Sequence, residues 1–318
     1  MRVVCVALVA LTAIACGTVE ASKPSVEVDM RNVDLHITPQ IEFQVRHLRG
    51  RFVAVGARSA PYLDDPSSYT VAVDTGEVAV DLPSLNAIVN RALARARSNV
   101  RRVEISVDDK GQIRQKGVMK QGINVPFDMK ASVGVTPDGL IRIHTESVKG
   151  FGVPVNPLLK VLRVKTDDLI RVDPGHGIRV EGNDLLLDLS QLLPPPGFYG
   201  QLTSVRVDRG VLIQVFGSGA ARTISPTATA KNHIYWRGGQ LAFGKLTMTE
   251  TDLELVDEDP QDSFDFSVDR WNEQLVAGYS KTTADRGLRA HMPDFNDLSD
   301  RQVKGQRSKG KSQVLGSR

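Results

Sequence analysis

The chain has 318 residues, 41% hydrophobic and 5% aromatic, which is apolar mass enough for one large domain or two modest ones. A net charge of +3 gives no whole-chain reason to bind nucleic acid. With aromatics scarce, valine, isoleucine, leucine and threonine carry the core, a composition that favours strands.

Residues 1–21 read as a secretory signal peptide. Arg2 precedes an apolar run from Val3 to Ala15, short for a membrane span and suited to a signal core, and the chain turns polar at Lys23. Two cleavage readings stand side by side. Val19-Glu20-Ala21 before Ser22 fits ordinary signal peptidase, while "AIAC" fits a lipobox that would leave Cys16 acylated. Both export the chain to the periplasm or cell envelope, the second with a membrane anchor at Cys16. Since Cys5 and Cys16 are the only cysteines, neither leaves a disulfide or a cysteine metal site.

Residues 26–58 alternate with a period of two and predict half-buried strands, followed by a Pro/Asp/Ser loop and strands at 69–73 and 77–80. The period then changes. Leu82, Leu85, Ile88, Val89, Ala92 and Leu93 make one apolar stripe at helical spacing, with Asp81 as cap and Pro83 in the first turn. Hairpins are expected at 103–107, 112–119, 122–135 and 140–148, separated by turns such as "TPDG". A second helical piece is expected from Asn156, carrying Leu158, Leu159 and Leu162. Strands resume at 169–172, 178–181, 184–189, 202–207 and 211–216. Residues 218–231 read as a linker. A β-rich extension over 232–295 follows, with a short helix near 269–277, and then a basic tail from 296.

Catalytic patterns are missing from the sequence. The six histidines lie eleven or more residues apart and form no ligand pair. No G-x-S-x-G elbow is present, and Gly217-Ser218-Gly219 lacks the third glycine and helix of a dinucleotide loop. The acidic stretch 252–269 lacks the order and glycine of a calcium loop and reads as a solvated edge. The expectation is therefore a non-enzymatic protein with no catalytic residue, metal or cofactor. Arg91, Arg95, Arg97, Arg101 and Arg102 form the basic cluster of the folded part; Arg91 and Arg95 are the candidates for head-group or membrane contact.

One stretch stands out. Residues 184–217 read "DLLLDLSQLLPPPGFYGQLTSVRVDRGVLIQVFG". Three prolines end any ladder and stiffen the chain, and Leu192, Leu193, Phe198 and Tyr199 give that segment an apolar face. The leucine-proline run, the aromatic-glycine step, "LTSVRV", the glycine turn and the final strand resemble the end of the LmeA-like phospholipid-binding family of bacterial envelope proteins. The resemblance implies an α+β, TULIP-like (tubular lipid-binding) fold over 22–217, a strongly curved antiparallel sheet wrapped around the 82–97 helix. It also implies binding, with transport as a role, of phospholipid or a similar acyl lipid, a membrane surface as partner, and no nucleic acid. The apolar residues placed along such a lipid path are Leu85, Val89, Leu93, Leu158, Leu159 and Leu162, with Leu193 and Phe198 at the mouth. The alternative from the residues alone is an envelope scaffold with a filled core.

Overall fold

A computed structural model describes residues 23–108, 112–121, 123–150, 153–154, 172–173, 175–217, 230–285 and 287–298. The signal segment with Cys16, the expected helix with Leu158, Leu159 and Leu162, most of the 218–231 segment and the tail from 299 lie outside the described residues, whereas residues 296–298, expected in the tail, are part of the fold, with Leu298 buried. Among the described residues, no helix is long and apolar enough to cross a membrane.

The chain opens with three long strands, β1 (Ser25–Thr38), β2 (Ile41–Ala54) and β3 (Tyr69–Asp81), then α1 (Leu82–Arg95). There follow β4 (Val100–Val107), β5 (Ile113–Gln121), β6 (Ile123–Val135), β7 (Ile141–Gly150), β8 (Val153–Pro154), β9 (Ile178–Glu181) and β10 (Asp184–Leu187). After α2 (Leu189–Leu192) come β11 (Gly197–Gly200), β12 (Leu202–Asp208) and β13 (Val211–Phe216). The last part holds β14 (His233–Arg237), β15 (Gln240–Phe243), β16 (Leu246–Thr249), β17 (Asp252–Asp257) and β18 (Phe264–Ser267), then α3 (Trp271–Ala277), β19 (Tyr279–Thr282) and β20 (Leu288–Met292).

The strands form a curled antiparallel half-barrel with few helices. The larger sheet has eleven strands in the order β12-β13-β3-β2-β1-β14-β17-β20-β19, with β11 on the edge of β3 and β18 on β1. The smaller has seven, β4-β5-β6-β7-β10-β9, with β8 on β7. The β1–β2–β3 meander is long enough to curl and is bent by irregularities between His36 and Thr38, Val45 and His47, and Arg49 and Gly50. At Gly50 the neighbouring strand comes so close that a Cβ would stand 2.0 Å from the Ala72 carbonyl oxygen, which excludes any other residue there. The strands expected separately at 69–73 and 77–80 are one, because β2 pairs along the whole of β3.

Of the strands after residue 232, β14, β17, β18, β19 and β20 join the same large sheet, with β14 on β1 in register Glu27↔Arg237 to Arg31↔His233, while β15 and β16 pair as a separate hairpin. The 252–269 acids are a solvated edge only in part: Asp259, Asp262 and Asp269 are exposed, but others are not. Asp252, Glu254 and Asp257 lie in β17 and Asp265 in β18, and Glu254, Asp257 and Asp265 are buried. Cations from distant strands allow it: Arg289 Nε lies 2.6 Å from Glu254 and His36 Nε2 2.5 Å from Asp265.

Two segments cross between the sheets. The first is α1, capped as expected by Asp81, whose carboxylate accepts from the Ser84 N–H at 2.8 Å. Its outer face, with Arg91, Ala94 and Arg95, is exposed, so α1 is a side wall of the space between the sheets and not a rod down its axis. Asn86 and Asn90 fix it there. Each side-chain amide accepts from the N–H and donates to the C=O of one residue on the free edge of β4, Asn86 at Ile105 (2.7 and 3.0 Å) and Asn90 at Val103 (3.0 and 2.7 Å). Four residues of helix rise ~6.0 Å and two of strand ~6.8 Å, so the two repeats match and the helix substitutes for a further strand. The second crossover runs from β10 through α2 and the three prolines into β11, which pairs in parallel with Thr70–Val73 of β3.

Candidate functional site

Three apolar cavities lie in a row along the concave face of the large sheet. The first, about 30 Å³, lies between the two sheets, walled by Leu85, Ile88 and Val89 of α1, by Ile113 and Ile143 of the small sheet and by Leu212 of the large one. The second, about 40 Å³, lies over β1, β2, β3 and β13, and is roofed by Leu189, Leu193, Pro194, Pro196 and Phe198 of the proline crossover. The third, about 50 Å³, lies under the C-terminal strands, walled by Phe52, Trp236, Phe243 and Trp271. Neighbouring cavities share walls: Phe43, Leu193 and Gln214 border the first and second, and Met30, Val71 and Pro196 the second and third. The result is a path of adjoining apolar cavities along the inside of the sheet, divided where those shared side chains stand.

The path follows from strand alternation. In β13, Leu212, Gln214 and Phe216 share the inward face, and in β5, Ile113 and Gln115 do. The crossover behaves as roof and core at once. Leu192, Pro194 and Pro196 are buried, Leu193 and Phe198 half-buried, and Pro195 and Tyr199 exposed. The Phe198 ring meets Phe216 edge-on at 5.5 Å, which holds the end of the roof against the sheet.

Of the path residues expected from sequence, Leu85 and Val89 border the first cavity, Leu193 the first and second, and Phe198 the second. Leu93 is buried in the core and borders none of the three. Leu158, Leu159 and Leu162 fall outside the described residues. Arg91 and Arg95 are exposed, as are Arg97, Arg101 and Arg102 around the end of α1 and the start of β4. Sequence reading missed Phe43, Gln115, Gln214 and the whole third cavity. The glutamines left a visible signal, a polar residue on an otherwise apolar alternating face. The third cavity left none, because residues from β1 to β20 build it.

Polar groups away from the path are mostly matched. Burial alone would raise the Asp29 carboxyl, but hydrogen bonds from His233 and Arg49 hold it below the usual carboxylate range. The His36 imidazole is held above its ordinary value chiefly by its hydrogen bond with Asp265. The carboxylates of Asp257, Asp262 and Asp294 lie within 4.8 Å of one another, the grouping among the described residues with metal-ligand spacing. Burial first, with the neighbouring Asp257, Asp262 and Asp265 adding to it, pushes Asp294 up to about 7. Asp257 is satisfied from within the chain, by the Asn232 amide at 2.9 Å and the Asp259 N–H at 2.8 Å. Along the path, the Trp236 indole Nε1 is buried with no partner.

Comparison of the chain with family models, with curated proteins and with solved structures found no match.

Proposed function

We propose that the protein binds phospholipid or a similar acyl lipid, without catalysis, in the bacterial cell envelope, with an acyl chain lying along the row of cavities. The observation that carries this reading is the apolar lining of the path from α1 to α3, in which neighbouring cavities share walls. Hydrocarbon suits such a wall: each buried CH₂ contributes about 0.8 kcal/mol, so an ordinary fatty chain gains about 10 kcal/mol before ordering costs. The exported localisation, the signal peptide and the TULIP-like character belong to this proposal, as do Leu85, Val89, Leu193 and Phe198 along the path. Arg91 and Arg95, exposed at the end of α1, are the proposed contacts for anionic head groups.

One observation favours the scaffold alternative. Cavities of about 30–50 Å³ are smaller than the ~150 Å³ apolar cavity that takes up one benzene. Lipid uptake therefore requires the proline crossover, which carries shared wall residues of all three cavities, to move outward. Native mass spectrometry of the protein purified gently from envelopes separates the two readings. Lipid binding gives a co-purified lipid mass, and Leu193→Trp, which fills the junction of two cavities, lowers uptake of pyrene-labelled phosphatidylglycerol from vesicles at least tenfold while the protein stays folded. A clean apo mass together with no uptake by the wild type leaves the scaffold.

A further inference from the structure

Gln115 and Gln214 are 6% and 3% exposed and both border the cavity between the sheets, Gln214 the next one as well. They are the polar side chains in two otherwise hydrocarbon linings. Buried amides in folded proteins are hydrogen-bonded almost without exception. This chain's own Gln274 obeys that rule: fully buried, it accepts from the Ser267 N–H at 2.9 Å and donates to the carbonyls of Asp265 and Pro293 at 2.8 and 2.9 Å. Neither Gln115 nor Gln214 has a side-chain hydrogen bond to any described residue. Leucine would fill both positions and continue the apolar face of its strand, as Leu212 does two residues before Gln214. Gln214 stands at the narrowing between two adjacent cavities and Gln115 in the first of them, and the space they border is where a partner for their amides would sit.

We infer that Gln115 and Gln214 are a neutral polar anchor for the ester-linked glycerol region of a bound acyl lipid. This deepens the lipid reading and rests on it. An amide offers an N–H donor to an ester carbonyl and an oxygen acceptor to a hydroxyl. It offers no charge, and among the described residues no Lys, Arg or His borders either cavity. A phosphate buried there would be desolvated without a counter-ion, so the phosphate stays outside while ester carbonyls reach the glutamines and the tails lie along the path on either side. The node therefore selects for ester-linked chains over ether-linked ones of the same length.

The test compares dioleoyl phosphatidylglycerol with its dialkyl ether counterpart, identical in head group and chain length but lacking the carbonyls. Binding of each from vesicles is measured for the full wild-type chain and for Gln115→Leu/Gln214→Leu. The wild type is expected to prefer the diester about tenfold, the worth of one or two neutral hydrogen bonds. The double variant is expected to bind both lipids equally and to melt no lower than wild type, since it removes two unsatisfied amides; a merely structural role would lower its melting temperature. Equal binding of both lipids by the wild type overturns the anchor and leaves the lipid reading standing. A preference that survives in the double variant also overturns it. Binding of neither lipid by the wild type removes both readings. Where the double variant fails to fold, equal binding of the two lipids by the wild type still overturns the anchor, and the single variants Gln115→Leu and Gln214→Leu carry the comparison.

Discussion

Replacing Asn90 with alanine breaks the seam between α1 and the small sheet at one defined point. Asn90 donates to the Val103 carbonyl at 2.7 Å and accepts from the Val103 N–H at 3.0 Å. Val103 is buried, so water does not readily replace the lost partners. Two hydrogen bonds are worth about 1 kcal/mol each, and the desolvated peptide groups left behind add about 1 kcal/mol or more. Alanine returns about 0.6 kcal/mol through its better helix propensity. The net loss is about 2–3 kcal/mol, a fall in Tm of about 4–8 °C for a domain of this size. Asn86→Ala should cost about the same, since Asn86 holds Ile105 in the same way at 2.7 and 3.0 Å. The double variant should fall short of the sum because the two asparagines hold one strand edge. Differential scanning fluorimetry measures the shift, and hydrogen exchange reports the Val103 and Ile105 N–H groups directly. Should both single variants melt within about 1 °C of wild type with unchanged exchange at those two amides, the asparagines do not hold the helix to the sheet.

Gln274→Leu removes three buried hydrogen bonds that join α3 to β18 and to the segment after β20, and should cost about 2–4 kcal/mol in urea denaturation. Asp29→Ala strips Arg49 of its buried counter-charge and His233 of its hydrogen-bond partner, at a cost of about 3–5 kcal/mol near neutral pH. Because the folded Asp29 carboxyl lies below its ordinary value, its stabilisation is present above about pH 4 and fades as pH falls through the folded value, so the deficit of the variant should shrink in acid. Asp294 has the opposite sign. Its carboxyl is raised to about 7, so the folded state holds a proton that the unfolded state releases, and stability falls as pH rises from about 4 to about 7. The raised His36 works in the same direction: its contribution is full below about pH 6.5 and lost as pH climbs through the folded value. Melting temperature should therefore drop between pH 5 and pH 8, and Asp294→Asn should recover part of that drop. Discounted for solvent screening at a half-buried site, the recovery is about 1 kcal/mol at pH 8 and vanishes below about pH 4. A flat pH profile identical in wild type and variant would refute the assignment.

Local pattern predicted well wherever one element buries its own face. The two-residue period of 26–58 foretold β1 and β2, and the stripe Leu85–Val89–Leu93 together with Asp81 foretold α1 and its cap. The pattern went wrong where a distant partner rewrote the meaning of a residue. Asp265 looks solvated in sequence, yet β18 lies in parallel against β1 and His36 neutralises it. Gly197–Gly200 follows three prolines and carries no strand pattern of its own, yet the edge of β3 recruits it as β11. Asn86 and Asn90 are poor helix formers by themselves, and their place in α1 makes sense only once the edge of β4 is beside them.

The sequence by itself determined that this is a strand-rich chain with one strong amphipathic helix, an apolar proline segment and none of the familiar catalytic motifs, because periodicity and side-chain chemistry are local properties. Only the tertiary structure decided that both crossovers wall a row of adjoining apolar cavities, that α1 stands at their side, and that two glutamines line them. Those facts depend on which strand edges meet. Pairings such as β1 with β14 and β18 join segments some two hundred residues apart, and no local period encodes them.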